Sequence, residues 1–244
     1  MRVCAIFLIL LLADAVRADD PLTVAVASNF ARSAAELASQ FEGETGITVR
    51  LSNGSTGKLY AQIVNGAPFD LFLAADSARP AKLEESGLAV AGSRFTYARG
   101  RLALWSAKFD DCHDALRAGG WIALANPETA PYGRAAREYL HAAGFWDDVK
   151  DRIAYGENVM QAMQFVAVGN ADTGVVAQSV LDGPYTPDGK STRAVPQQLH
   201  ETIEQQAELL AKARDDTRAL RLIAFLQSDT ALGIIERHGY EVSR

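Results

Sequence analysis

The stretch Leu22-Thr23-Val24-Ala25-Val26-Ala27-Ser28-Asn29-Phe30 decides the fold. Its first six residues read as a strand, Ser28-Asn29 follows at once, and from Phe30 to Gly43 apolar residues recur at helical spacing. The same succession repeats outward. Ile47 to Leu51 reads as a strand and Thr56 to Asn65 as a helix, and Phe69 to Ala74 is a continuous apolar run of the buried-strand kind. Arg101 to Trp105, Trp121 to Ala125 and Asp172 to Gln178 read as further strands, with helices at Gly133 to Gly144 and Val159 to Val168. Beyond them come a strand at Ile203 to Leu210 and a helix at Asp216 to Gln227, with Asp215 as its expected cap. Strands alternating with helices of this length imply an α/β fold whose mostly parallel sheets are covered on both faces.

In such sheets ligands sit outside the carboxyl ends of the strands, and four helix starts there are rich in small polar groups. They are Ala27-Ser28-Asn29-Phe30, Gly54-Ser55-Thr56-Gly57-Lys58, Ala130-Pro131-Tyr132-Gly133 and Glu157-Asn158-Val159-Met160. A helix start leaves N–H groups unpaired and carries about half a positive charge, so it is a ready anion site. Several facing one cleft would hold an oxyanion by neutral hydrogen bonds, which is a binding device rather than a catalytic one. Glu157 is expected to cap its helix, and Lys58 to be solvated or to lie along the surface.

The chain has 244 residues and a formal net charge of −6. Arg2, the apolar run Val3 to Ala13 and the small residues of Val16-Arg17-Ala18 read as a secretory leader cleaved after Ala18. The apolar run is shorter than the roughly 20 residues a membrane span needs. Cys4 is too early, and wrongly flanked, for a lipid anchor. About 225 residues then remain, long enough to bury one large core or two smaller ones. Cys112 is the only cysteine left, so no internal disulfide is expected. The acidic balance argues against nucleic acid or an anionic membrane as partner.

Each motif also has a plainer reading. Ser28-Asn29 alone is most often a helix cap, and Pro131-Tyr132-Gly133 a turn. Gly54-Ser55-Thr56-Gly57-Lys58 is not a phosphate loop, because Ser52 stands where its first glycine belongs and Leu59 follows the lysine. His113, His141, His200 and His238 lack metal-ligand spacing, so no bound metal ion is expected. An exported hydrolase is the rival class. No G-x-S-x-G elbow is present, and adjacent Cys112 and His113 point apart, so no catalysis is expected.

The motifs taken together resemble the substrate-binding proteins of molybdate ABC transporters, periplasmic binding proteins of the two-lobed kind. The marks are VAVASNF (24–30), GSTGKLYAQI (54–63), GAPFDLFLAAD (66–76), ALANPETAPYGRAA (123–136), ENVMQAM (157–163) and ADTGVVAQS (171–179). The resemblance spans essentially the whole mature chain. It implies two α/β lobes, with 19–98 and 200–244 in the first and 99–199 in the second. Phe95 to Gly100 is the expected first crossover, and the polar stretch Asp182 to Pro196 lies ahead of the second. It further implies oxyanion contacts from Ser28, Asn29, Ser55, Thr56, Tyr132 and the backbone N–H of Val159. Either Ser55 or Thr56 supplies the inward hydroxyl, and spacing from Asn29 favours Thr56. Where some members have a tyrosine after G-[IV]-V, this chain has Ala177, and Tyr132 is expected to supply that hydroxyl from the other side.

The implied function is periplasmic capture of molybdate, and of tungstate, by a monomer that delivers it to a membrane permease without a cofactor. The chemistry agrees. Molybdate and tungstate are fully deprotonated at neutral pH and accept hydrogen bonds only, whereas phosphate keeps a proton that needs an acceptor. Sulfate, thiosulfate or another tetrahedral oxyanion stands as the alternative ligand.

Overall fold

The computed structural model describes residues 20–181 and 189–242. The expected leader, and residues 182–188 of the polar stretch, lie outside the described residues. The first sheet begins with β1 (Leu22–Ala27), β2 (Val49–Gly54) and β3 (Leu71–Leu73), joined through α1 (Ala31–Thr45) and α2 (Thr56–Val64). A single 3-10 turn, Ser28–Phe30, connects β1 to α1. After α3 (Ala78–Glu85) comes β4 (Phe95–Gly100). The second sheet is built from β5 (Leu102–Ser106), β6 (Ile122–Ala125), β7 (Ile153–Gly156), β8 (Thr173–Ala177) and β9 (Ser191–Ala194). Its helices are α4 (Cys112–Arg117), α5 (Pro131–Ala142), α6 (Trp146–Val149), α7 (Val159–Ala167) and α8 (Gln178–Leu181). The chain then returns as β10 (Ile203–Leu209), α9 (Thr217–Leu226) and α10 (Asp229–Arg237).

The two sheets have the same plan, with strand orders β2-β1-β3-β10-β4 and β7-β6-β8-β5-β9. Parallel pairing joins β1 to β2 and β3, and β6 to β7 and β8. Only β10 in the first sheet and β5 in the second run against their neighbours. Each reversed strand is the one by which the chain enters that sheet from the other lobe, so a mostly parallel sheet and a double crossing are one topological fact.

Residues of β1 pack on both faces. Val24 and Val26 join Leu37 and Phe41 of α1, while Ala25 joins Leu59 and Ile63 of α2. Full burial of such large side chains stabilises by about 1.5–3 kcal/mol each. Gly46 ends α1 in the left-handed conformation (φ 70°) that a side chain disfavours. The second lobe has its own core around Leu104, Leu124, Val175 and Leu140, and this core runs on into Ala27 and Ala75 of the first lobe.

Three local expectations change. Phe95–Gly100 is not a crossover but a strand hydrogen-bonded to β10, and the switch between sheets falls at Arg101. Part of the polar stretch, Ser191–Ala194, pairs with β5 as an edge strand, because an exposed edge tolerates polar side chains. Asp216 rather than Asp215 caps α9, accepting from the Arg218 N–H at 2.9 Å.

Candidate functional site

Two of the four helix starts have a side-chain cap and two do not. Ser55 Oγ accepts from Lys58 N at 3.4 Å at the head of α2, and Asn158 Oδ1 from Gln161 N at 3.1 Å at the head of α7. Asn158, not Glu157, therefore caps α7, while Glu157 pairs with Lys58 at 2.7 Å across the lobes. The Ser28–Phe30 turn and α5 start without a side-chain cap. Their first N–H groups, like that of Val159 at the first position of α7, have no partner within the helix.

The fold draws these starts together. The turn Ser28–Phe30 packs against α7, the helix that Val159 opens. Gly57 N, one residue past Thr56, donates to Thr129 O of the other lobe at 2.8 Å, bringing the heads of α2 and α5 into contact. A Cβ on Gly57 would lie 2.9 Å from Thr129 Cα and O, so only glycine permits this approach. Thr56 Oγ1 accepts from Ala75 N at 3.1 Å, which ties its hydroxyl to its own lobe. Ser28, Asn29, Ser55, Thr56, Tyr132 and Val159 are all buried.

Behind them lies a hydrogen-bonded network that spans both lobes. Asn29 Nδ2 donates to Gln205 Oε1 at 2.7 Å and to the Tyr240 hydroxyl at 3.1 Å. Both amide hydrogens are thus spent inside the protein, and what Asn29 can offer a guest is its backbone N–H. Gln205 Nε2 donates to the Tyr132 oxygen at 3.3 Å. Ser179, of the second lobe, donates to the Tyr240 hydroxyl at 2.9 Å. Phe30 supports the network from below, with its ring centroid 4.6 Å from Tyr97 and 5.3 Å from Tyr240. A Cβ on Gly100 would collide with the Tyr132 hydroxyl, so the last residue of β4 must be glycine for the hydroxyl to sit there.

No lysine, arginine or histidine is fully buried among the described residues. Burial pushes the Tyr132 phenol well above its ordinary pKa and that of Tyr240 up to about 12, so both keep their protons at neutral pH. Among the described residues no group of three or more His, Cys, Asp or Glu side chains could hold a metal ion. Cys112 is buried, and burial raises its thiol pKa. A cavity of about 80 Å³ opens on the crossover side of the seam. Asp76, Glu138, Glu201 and Glu204 are among its lining residues, which makes it the wrong place for an anion.

Gln205, Tyr240, Tyr97 and Gly100 do not emerge from the sequence reading. One signal for them exists. Gln205-Gln206 lies in a strand that also carries Glu204 and Glu208, and a buried amide must be satisfied by partners.

Residues 22–241 match the family model of the bacterial extracellular solute-binding proteins. The chain belongs to this family. Among other solute-binding proteins it is 46% identical over 237 residues to the molybdate-binding protein ModA of Azotobacter vinelandii, covering 94% of this chain and 93% of that one. It is 42% identical over 220 residues to the molybdate-binding protein ModA of Rhodobacter capsulatus, covering 88% of this chain and 86% of that one. The solved structure of the Azotobacter vinelandii periplasmic molybdate-binding protein superposes with a TM-score of 0.85 at 38% identity. It covers 91% of this chain and 100% of that one.

Proposed function

We propose that this solute-binding protein captures molybdate, and with it tungstate, between its lobes in the periplasm and delivers it to the permease of an ABC transporter. The observation that carries the reading is a buried set of uncharged donors, contributed by both lobes, where no cation is buried among the described residues. An anion that only accepts hydrogen bonds suits such a set, and bonds to a charged group are about twice as strong as neutral ones. The two relatives named as molybdate-binding proteins support the choice of anion.

In this reading the guest receives hydrogen bonds from the N–H groups at Ser28, Asn29 and Val159, from the hydroxyls of Ser28 and Tyr132, and from that of Ser55 or Thr56. Thr56 Oγ1 accepts from Ala75 N and keeps its own proton to donate, as Ser55 does, so either hydroxyl at the head of α2 serves the guest. Lobe closure expels water, which strengthens each bond by lowering the local dielectric. With the first crossing at Arg101, the lobes are 19–100 with 200–244 and 101–199, joined at the two crossings. A leader over 1–18 directs export, and the mature chain acts as a monomeric carrier that catalyses no reaction and needs no cofactor.

Titration with molybdate, tungstate, sulfate and phosphate, read by tryptophan fluorescence and by thermal shift, tests the proposal. Molybdate and tungstate raise the melting temperature with concentration. A response to sulfate or phosphate alone would transfer the site to another oxyanion, and silence toward all of them would refute it.

A further inference from the structure

The network behind the site is anchored by a group whose role in a hydrogen bond cannot be reversed. The Asn29 carbonyl only accepts, and the Tyr240 hydroxyl donates to it at 2.7 Å. Tyr240 has then spent its single proton, so its oxygen must accept from the Asn29 side chain at 3.1 Å. That places the NH2 end of the Asn29 amide against Tyr240, and its other hydrogen against Gln205 at 2.7 Å. The Gln205 atom there must be the acceptor, Oε1; the Tyr97 hydroxyl lies 3.2 Å from it and 3.1 Å from Ala74 O, and shares its one proton between them. The other end of Gln205 is therefore its NH2, and it faces the Tyr132 oxygen at 3.3 Å. Amide orientations are ordinarily assigned by inference; here a backbone carbonyl fixes both in turn.

We propose that Gln205 is a positioning residue: by donating to the Tyr132 oxygen, it leaves the Tyr132 proton free for the bound oxyanion. The inference rests on the oxyanion reading of the site and adds a cause for its polarity. Without a donor behind it, the Tyr132 hydroxyl could turn its proton inward to any acceptor of the network. With Gln205 Nε2 in place it has one direction left. The titratable groups that face Gln205 are the phenols Tyr97, Tyr132 and Tyr240, each held protonated by burial. The Asp76 charge acts on Tyr97 and the Arg32 charge on Tyr240.

The test is Gln205→Glu, alone and with Tyr132→Phe, read by calorimetric titration with molybdate between pH 5.5 and 8.5. An ionised carboxylate can only accept, so it draws the Tyr132 proton away from the guest. Protonated, it donates to the Tyr132 oxygen as the amide did. The variant is expected to bind at least tenfold more weakly than the parent at pH 8.5 and to recover as pH falls, relative to the parent's own profile. In the Tyr132→Phe background, where no hydroxyl is left to turn, the loss should shrink at least tenfold. Simple repulsion between the new carboxylate and the guest would give equal losses in both backgrounds, and that result overturns the inference. If Gln205→Glu does not fold by circular dichroism, the neutral Gln205→Met gives the same cycle, with coupling to Tyr132→Phe expected and strict additivity refuting it. A parent protein that ignores molybdate refutes the functional reading, whereas a binding parent with an additive cycle refutes only the role of Gln205.

Discussion

Glu208 offers the sharpest physical prediction. It sits on β10 opposite Phe72, is 0% exposed, and neither carboxyl oxygen has a hydrogen-bond partner. Burial, with repulsion from Glu84 and against the pull of Arg94, raises its pKa from 4.5 to about 8. Between these values the folded chain holds a proton that the unfolded chain has released, so stability falls as pH rises, by up to about 1.4 kcal/mol per unit. Over the whole interval the loss is on the order of 3–5 kcal/mol, a large part of the stability of an ordinary domain. Glu208→Gln keeps the shape and removes the titration. Urea unfolding at pH 5, 6, 7 and 8, followed by tryptophan fluorescence, should find the two proteins within about 1 kcal/mol at pH 5. The variant should then gain by about 1 kcal/mol with each unit. Parallel stability profiles would mean that Glu208 is ionised or paired in the folded protein, and the reasoning would be wrong.

Tyr132→Phe should weaken molybdate binding by about 1–3 kcal/mol, the loss of one hydrogen bond to a charged group, in a calorimetric titration at neutral pH. Asn29→Ala keeps the backbone N–H that faces the guest, so its main effect should be a lower melting temperature, because it leaves Gln205 and Tyr240 without a shared partner. Gly57→Ala should keep the fold but hold the lobes apart at Thr129. Small-angle scattering should then show no compaction on adding molybdate, and affinity should drop at least tenfold. The side chains of Lys58 and Glu157 are 49% and 62% exposed, so their ion pair contributes at most about 1 kcal/mol. Lys58→Ala should accordingly change affinity less than about fivefold, and the difference should fade in high salt.

Most of the fold was legible because its signals are local. The succession from Leu22 to Phe30 carries both a strand and the turn into a helix within nine residues, and both belong to one parallel unit. The helix starts at Ser28, Ser55, Tyr132 and Val159 were equally readable, since small polar groups ahead of an apolar repeat mark them whatever surrounds them. Phe95–Gly100 was misread because a strand next to a crossing differs from a crossing only in its partner, β10, more than 100 residues away. The caps of α7 and α9 were misplaced by one residue, as happens when two polar side chains precede a helix and only geometry chooses between them.

By itself, then, the sequence determined the elements, their alternation into two lobes, and the polar helix heads at the strand ends, because hydrophobic period and capping chemistry act over a few residues. The tertiary structure alone decided how the heads are aimed and what stands behind them. Asn29 meets Gln205 across 176 positions and Tyr240 across 211, and Gln205 meets Tyr132 across 73. The direction of a proton in such a network follows from which partner must accept, and that is a property of contacts between distant segments, which no local pattern encodes.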